Sequence, residues 1–224
     1  MLISIKAYAK AAHFGPTMLI TSISFILASL IWKTDSAYLG AFTIFLGQLV
    51  IGWSNDIYDY EDDLEHNRQN KPLVSRQIKR ENLVAITLVA TPIAIIANLI
   101  GPLGLKGGTI YLLGVGLGIT YNFYFKFTVF SPLPYFFACA ALPASIFFAA
   151  NRTPPLWVLA TGSLLGVAFH FANVLKDYDE DRESNIGGLP QRTNKKILIF
   201  LILIFLFLVF IILINSPIAQ TFNF

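Results

Sequence analysis

The sequence predicts an all-α membrane protein, a multi-pass bundle of about seven transmembrane helices around a central cavity, with two pseudo-repeated halves. Three observations lead to this fold class. Of the 224 residues, 55% are hydrophobic and only 13% are charged, whereas soluble domains carry about 25% charged residues. Seven apolar segments are long enough to cross a bilayer. An acidic stretch after the second of these segments recurs after the sixth, in the same register.

The predicted spans are apolar runs close to the length of about 20 residues that a membrane-crossing helix needs. The first span follows Lys6 and Lys10, as a signal peptide would, but its apolar run is too long for one, so we expect it to be retained. In chain order the spans are Phe14–Trp32, Tyr38–Ser54, Leu83–Ile100, Thr109–Phe125, Leu133–Ala150, Leu156–Leu175 and Ile197–Ile214.

Loop charge predicts the orientation of the bundle. All of the 16 Lys and Arg residues except Lys33, Lys106 and Arg152 fall on the side of the N-terminus. Cytoplasmic loops carry an excess of Lys and Arg, so the N-terminus is predicted to be cytoplasmic and the C-terminus external. Both acidic stretches then share the cytoplasmic side, where we expect the cavity and the active site to open.

The first acidic stretch, 55–63, directly follows the second span. No Gly or Pro interrupts it, so the helix is predicted to continue, with Asp56, Asp59 and Asp63 on one face. Carboxylates on one face repel each other unless a cation lies among them. Oxygen ligands without Cys or His in the stretch favour a hard ion such as Mg²⁺ or Ca²⁺ over zinc.

The second acidic stretch, 177–181, repeats the first. A shift of 118 residues aligns Asn55 with Asn173, Asp59 with Asp177, Asp63 with Asp181 and Asn67 with Asn185. Matches in one register predict two structurally related halves, about 12–105 and 106–214, within a single domain that covers 1–224.

Basic residues follow both acidic stretches, Arg68 and Lys71 after the first and Arg182 and Arg192 after the second. Carboxylates that hold Mg²⁺, next to Arg and Lys, are the groups that a diphosphate needs. Solvated loop charge is the ordinary alternative, but helical spacing, recurrence and flanking bases all disfavour it. At a membrane surface the combination indicates a lipid diphosphate, whose allylic carbon–oxygen bond would ionise among aromatic side chains.

The motifs resemble those of the UbiA superfamily of intramembrane prenyltransferases, over about residues 12–196. The first stretch fits that superfamily's NDxxDxxxD pattern at Asn55, Asp56, Asp59 and Asp63, and Arg68-Gln69-Asn70-Lys71-Pro72-Leu73 follows it. The second stretch fits DxxxD at Asp177 and Asp181. Tyr121-Asn122-Phe123-Tyr124-Phe125-Lys126 is similar to the element between the two motifs.

The resemblance implies Mg²⁺ dependence, a prenyl diphosphate donor and a hydrophobic acceptor that enters from the lipid bilayer. By the same resemblance, Tyr121 would lie near the reacting carbon as a catalytic residue. The implied ligands of the metal-bound diphosphate are Asp56, Asp59, Asp63, Asp177 and Asp181, with Asn55, Arg68, Lys71, Lys126 and Asn173 as further diphosphate-binding residues.

The sequence leaves several alternatives open. A terpene cyclase would use the same superfamily scaffold, and a non-catalytic transporter or cation-binding membrane protein would also contain repeats and acidic sites. The acceptor is an aromatic ring, a glycerol-type alcohol or a porphyrin-like carboxylate. Superfamily members usually have nine spans, so a homo-oligomer is one way to complete the cavity wall. Nucleic acid is excluded as a partner, because no binding motif or basic stripe is present.

The three histidines are not part of these motifs. We expect His13 and His66 to be polar residues at the membrane interface. His170 lies inside the sixth span, about one helical turn before Asn173. An ionisable group at that depth indicates either a cavity residue or a hydrogen bond between helices.

Overall fold

The computed structural model describes residues 2–32, 34–184 and 186–222, and these residues form helices and loops without strands. The predicted all-α fold class is therefore confirmed. Lys33 and Asn185, which entered the predictions above, lie outside the described residues. The helices are α1 Leu2–Ala11, α2 Phe14–Ile31, α3 Thr34–Glu65, α4 Arg80–Ile100, α5 Gly104–Phe123, α6 Pro132–Ala149, α7 Leu156–Lys176, α8 Tyr178–Glu183, α9 Lys195–Ile214 and α10 Ile218–Phe222.

Each of the seven predicted spans is a helix in the structure. Within the described ranges, six helices are long and apolar enough to cross a membrane: α2, α3, α4, α6, α7 and α9. The remaining predicted span, α5, is 20 residues long but contains six glycines and is less apolar. Its small residues suit a helix that packs closely against neighbours rather than one that faces lipid.

The long helices pack in chain order, each against the next, and α2 also contacts α6. The central core forms where α2, α3, α5 and α6 meet, around the buried side chains of Ile44, Tyr111 and Ile146. Gly47 allows α3 and α5 to approach each other closely, since a Cβ atom at this position would lie only 2.5 Å from the Tyr111 hydroxyl oxygen. That hydroxyl donates to the Ile44 carbonyl oxygen at 2.6 Å, which satisfies a polar group in an apolar core.

The two acidic stretches differ in backbone structure. The first lies within α3, a continuous helix of 32 residues, so the predicted continuation through 55–63 is confirmed. At 1.5 Å per residue α3 is about 48 Å long, which exceeds the hydrocarbon core of about 30 Å. The second stretch is bent, because α7 ends at Lys176 and α8 begins at Tyr178, with Asp177 between them.

The short helix α1 packs against α3 around Trp53, just before the first acidic stretch. Ala11 and Ala12 at its end are fully buried. A Cβ atom on Gly52 of α3 would lie 2.4 Å from the Ala12 carbonyl oxygen, so this contact requires glycine. The next residue, His13, then has a left-handed backbone, with φ 50° and ψ 58°.

Candidate active site

The two acidic stretches meet at one polar pocket of about 290 Å³. Its walls come from the end of α3, the loop after α3, the loop after α5, and the region around α8. Ten of the eleven predicted site residues line this pocket: Asn55, Asp59, Asp63, Arg68, Lys71, Tyr121, Lys126, Asn173, Asp177 and Asp181. Residues about 120 positions apart are thus brought together.

The acids of the first stretch are paired with the bases that follow it. Asp59 pairs with Lys126, which is almost fully buried. Asp63 lies 2.8 Å from the Arg68 guanidinium and 3.5 Å from the Lys71 ammonium. Burial alone would lower the pKa of Lys71, but neighbouring carboxylates raise it above its ordinary value, so this lysine stays charged.

Asp56 is the predicted site residue that does not line the polar pocket. Its side chain is 2% exposed, beneath Lys71 at 3.0 Å and His13 at 3.3 Å, both measured to Oδ1. Its other carboxylate oxygen, Oδ2, is buried and has no hydrogen-bond partner among the described residues. In this geometry Asp56 holds two side chains that themselves face the pocket.

Arg68 joins the two acidic stretches directly. Its guanidinium contacts Asp62 at 3.1 Å on the first stretch. The same group donates to the Glu180 carbonyl oxygen at 3.1 Å and to the Ser184 hydroxyl at 2.6 Å beside the second. Ser184 in turn donates to Asp62 at 2.7 Å. Burial alone would lower the pKa of Arg68, but its carboxylate neighbours raise it, so it remains a cation.

The acids of the second stretch are less neutralised. Burial raises the pKa of Asp181 to about 6, against a hydrogen bond from Gln191 that lowers it, and nearby Asp177 raises it further. The Gln191 amide donates to Asp181 Oδ2 at 2.8 Å. Asp177 is half-exposed and lies 3.8 Å from Lys176. This side of the pocket therefore retains carboxylate oxygens that can bind a cation.

A second, larger cavity of about 820 Å³ adjoins the polar pocket and has mainly apolar walls. Residues that line both cavities are His13, Asn55, Tyr121, Asn173 and Asp177. Tyr121 stands at this boundary with its ring edge-on to Tyr135 at 4.9 Å and to His170 at 5.4 Å. A polar site and an apolar chamber thus share one wall.

His170 is fully buried behind that wall and is not among the residues that line either cavity. Its Nε2 lies 3.2 Å from the Ser131 hydroxyl oxygen. The same oxygen accepts a hydrogen bond from the Leu189 backbone amide at 3.1 Å. Of the two alternatives, this geometry favours the hydrogen bond between structural elements.

Three functional contacts were not predicted from the sequence. Ser184 and Gln191 hold Arg68 and Asp181, and His13 contacts Asp56 instead of being only an interfacial residue. Single polar residues in loops have no spacing or neighbouring motif that distinguishes them from other loop residues, so only the folded contacts identify them.

No three His, Cys, Asp or Glu side chains in the described part of the chain are grouped closely enough to hold a metal by themselves. The acids of the first stretch are instead paired with internal cations, and those of the second lie across the pocket.

Three solved structures share the fold. A UbiA homolog from Archaeoglobus fulgidus bound to GPP and Mg²⁺ has a TM-score of 0.76 at 15% identity, over 95% of this chain and 80% of that chain. A digeranylgeranylglyceryl phosphate synthase has a TM-score of 0.68 at 18% identity, over 98% and 78%. The Archaeoglobus fulgidus homolog bound to Cd²⁺ has a TM-score of 0.67 at 14% identity, over 97% and 94%.

Sequence comparison at the level of whole families gives the same assignment. No curated protein sequence matched the chain. A model of the UbiA prenyltransferase family matches residues 16–223, which is nearly the entire sequence. Motifs, fold and family model agree, and the chain belongs to the UbiA prenyltransferase family.

Proposed function

We propose that the protein transfers a prenyl group from a prenyl diphosphate to a hydrophobic acceptor in a Mg²⁺-dependent reaction. The observation that carries this proposal is the meeting of both acidic stretches at a polar pocket that adjoins an apolar cavity. A prenyl diphosphate has the same two parts, a charged head and an apolar chain. The solved relatives named above include one bound to GPP and Mg²⁺, which supports this donor class.

The cations of the site would bind the diphosphate oxygens. Arg68, Lys71 and Lys126 all line the polar pocket, and each contacts a carboxylate there or beneath it. A bound diphosphate would share these cations with the carboxylates through charge-assisted hydrogen bonds. The negative charge that develops on the leaving diphosphate would then be stabilised by groups already in position.

The carboxylates fit Mg²⁺ by the chemistry of their donors. Mg²⁺ prefers oxygen ligands, and it is usually bound by one or two carboxylates together with substrate phosphates and water. Asp59, Asp63, Asp177 and Asp181 all present oxygens at the polar pocket, and Asn55 and Asn173 lie beside them. These carboxylates would hold Mg²⁺, which would supply positive charge against that of the diphosphate.

The apolar cavity would hold the prenyl chain and the acceptor away from water. The allylic carbon–oxygen bond would break with its electron pair on the diphosphate. The acceptor would supply the pair for the new bond and lose its proton to the released diphosphate or to water. Tyr121 lies at the boundary of the two cavities, where its ring would face the developing carbocation. We infer from loop charge that this site opens on the cytoplasmic side.

The test is diphosphate release from labelled geranyl, farnesyl or geranylgeranyl diphosphate in membranes that contain the protein. A panel of aromatic, glycerol-type and porphyrin acceptors is supplied with Mg²⁺ or with EDTA. Asp59→Ala and Asp177→Ala should each reduce turnover by about 100-fold or more, the scale of losing a preorganised transition-state contact. Asp179→Ala is the matched control, since this exposed acid pairs with Lys195 and does not line the pocket.

Three other results would contradict the proposed prenyl transfer. Release that needs Mg²⁺ but no acceptor, with a hydrocarbon product, would identify a terpene cyclase instead of a transferase. Turnover that is unchanged in Asp59→Ala or Asp177→Ala would contradict the assignment of the site. Cation or solute uptake by liposomes without any diphosphate release would indicate transport.

A further inference from the structure

The turn between α1 and α2 is held in an unusual conformation by specific packing. His13 has a positive φ of 50°, a region that L residues other than glycine rarely adopt. The preceding residue, Ala12, is fully buried against Gly52, and its carbonyl oxygen accepts a hydrogen bond from the Thr17 hydroxyl at 2.7 Å. A left-handed residue that its surroundings fix in this way often indicates a functional position.

The packing places the His13 imidazole against Asp56. His13 Nε2 lies 3.3 Å from Asp56 Oδ1. An ionised carboxylate only accepts hydrogen bonds, so Nε2 carries the proton in this contact. In the neutral ring the other nitrogen, Nδ1, would be a hydrogen-bond acceptor. The contact with Asp56 is made through Nε2 and leaves Nδ1 for a second partner.

The location of His13 separates it from the diphosphate-binding groups. Its side chain is 42% exposed and lines both the polar pocket and the apolar cavity. The apolar side of this boundary contains the aromatic rings of Tyr121, Tyr135 and Phe169. A flat ring with a hydroxyl group would stack in that cavity and place its hydroxyl at the boundary.

We propose that His13 is an acceptor-binding residue, whose Nδ1 accepts a hydrogen bond from the hydroxyl of a hydroxylated aromatic acceptor while Asp56 holds the ring. This inference rests on the proposed function, because it assigns the second substrate of that reaction. It gives Asp56 a positioning role toward His13 and Lys71, in agreement with its burial outside the polar pocket.

The test compares binding of 2-naphthol and its methyl ether, 2-methoxynaphthalene, to the detergent-solubilised protein. The two probes differ in the hydrogen-bond donor. The measured quantity is the ratio of their dissociation constants, so that partitioning into detergent cancels between variants. One neutral hydrogen bond should make the wild-type protein prefer naphthol by about 2- to 12-fold.

His13→Gly removes the ring and suits the turn, because glycine adopts positive φ without strain. It should abolish the preference for naphthol and leave binding of the methyl ether unchanged. His66→Gly is the matched control, since His66 lies just after α3 and lines neither cavity. Its ratio should equal that of the wild type.

Two results would overturn the inference: no preference for naphthol in the wild type, or an equal loss of affinity for both probes in His13→Gly, as a purely structural role predicts. A melting curve checks that His13→Gly folds. If it does not, His13→Asn replaces it, since Asn also tolerates the left-handed region and its side chain is shorter. Binding needs no donor or turnover, so this test and the test of prenyl transfer fail independently.

Discussion

The ion pair of Lys126 is buried, in contrast to an exposed ion pair elsewhere in the chain. Lys126 is 6% exposed and pairs with Asp59 inside the polar pocket. Lys195 forms the same type of pair with Asp179 at 2.7 Å, but both side chains there are largely solvated. Exposed ion pairs contribute little to stability, whereas removal of one partner from a buried ion pair leaves an uncompensated buried charge.

We therefore predict that Lys126→Met lowers kcat/KM for the prenyl diphosphate by about 10- to 100-fold, since it removes a charge-assisted contact to diphosphate and leaves Asp59 unpaired. Lys195→Met should change it by less than about twofold. Steady-state kinetics on both variants check this. Equal effects would mean that Lys126 does not contact the donor.

The titration of Asp181 predicts that binding of the donor depends on pH. Burial raises the pKa of Asp181 to about 6, so it is protonated below that pH and must lose the proton before it binds a cation. Affinity for the Mg²⁺–donor complex should accordingly fall by up to about tenfold per pH unit below pH 6 and level off above it. Donor binding measured from pH 5 to pH 8 tests this.

Two variants isolate this titration from that of the diphosphate itself. Asp181→Asn should lose the step that belongs to the protein and bind weakly at every pH. Gln191→Leu should move the step to higher pH, because the hydrogen bond from Gln191 lowers the pKa of Asp181. A step that is identical in wild type and Asp181→Asn would assign it to the ligand.

Among the helices, the contact between α3 and the turn after α1 depends on one glycine. A Cβ atom on Gly52 would clash with backbone atoms of Ala12, which cannot rotate away. Gly116, on α5, has nothing within 4 Å of the same position. Packing therefore requires glycine at the position of Gly52 but not at that of Gly116.

We predict that Gly52→Ala destabilises the protein by about 1–3 kcal/mol, the usual cost of overpacking. Gly116→Ala should be neutral or stabilise by up to about 1 kcal/mol, because alanine favours the helix. Thermal unfolding in detergent compares the two. Gly52→Ala should also lose preference for naphthol, since it displaces the turn that carries His13. A stable Gly52→Ala variant would show that this turn shifts easily.

The helices were largely predictable, because apolar runs of spanning length and an uninterrupted acidic stretch are local features of the sequence. The bend at Asp177 was not, since neither Gly nor Pro marks it and the aligned stretch 55–63 is straight. Most of the residues that line the polar pocket with the two acidic stretches were predictable from the spacing of two motifs and the resemblance. The partners of Asp56 and Asp181 were not, because they depend on how loops fold over the helix ends.

The orientation of the whole bundle yields a direct test. Lys79 directly precedes α4, and Lys106 lies beyond the other end of α4, in the first turn of α5; both are exposed. In a Cys139→Ser background, which removes the single native cysteine, Lys106→Cys should react with an impermeant maleimide in intact cells. Lys79→Cys should react only after the membrane is permeabilised. The reverse pattern would place the proposed active site on the outside.

Other properties of the whole molecule stay predictions. The division into halves at about residue 105 rests on the repeated motif, and the homo-oligomer rests on the number of spans. The prediction that the two acidic stretches meet was correct, because each lies at the same end of a long helix.

The wall that the two cavities share would favour the forward direction of the proposed reaction. Its two products belong in different phases: diphosphate dissolves in water, and the prenylated product dissolves in lipid. Each would leave through the cavity that matches its own solubility, so neither has to pass the other. Separation of the products into two phases would keep them from meeting again, and the reverse reaction would be suppressed by partitioning alone.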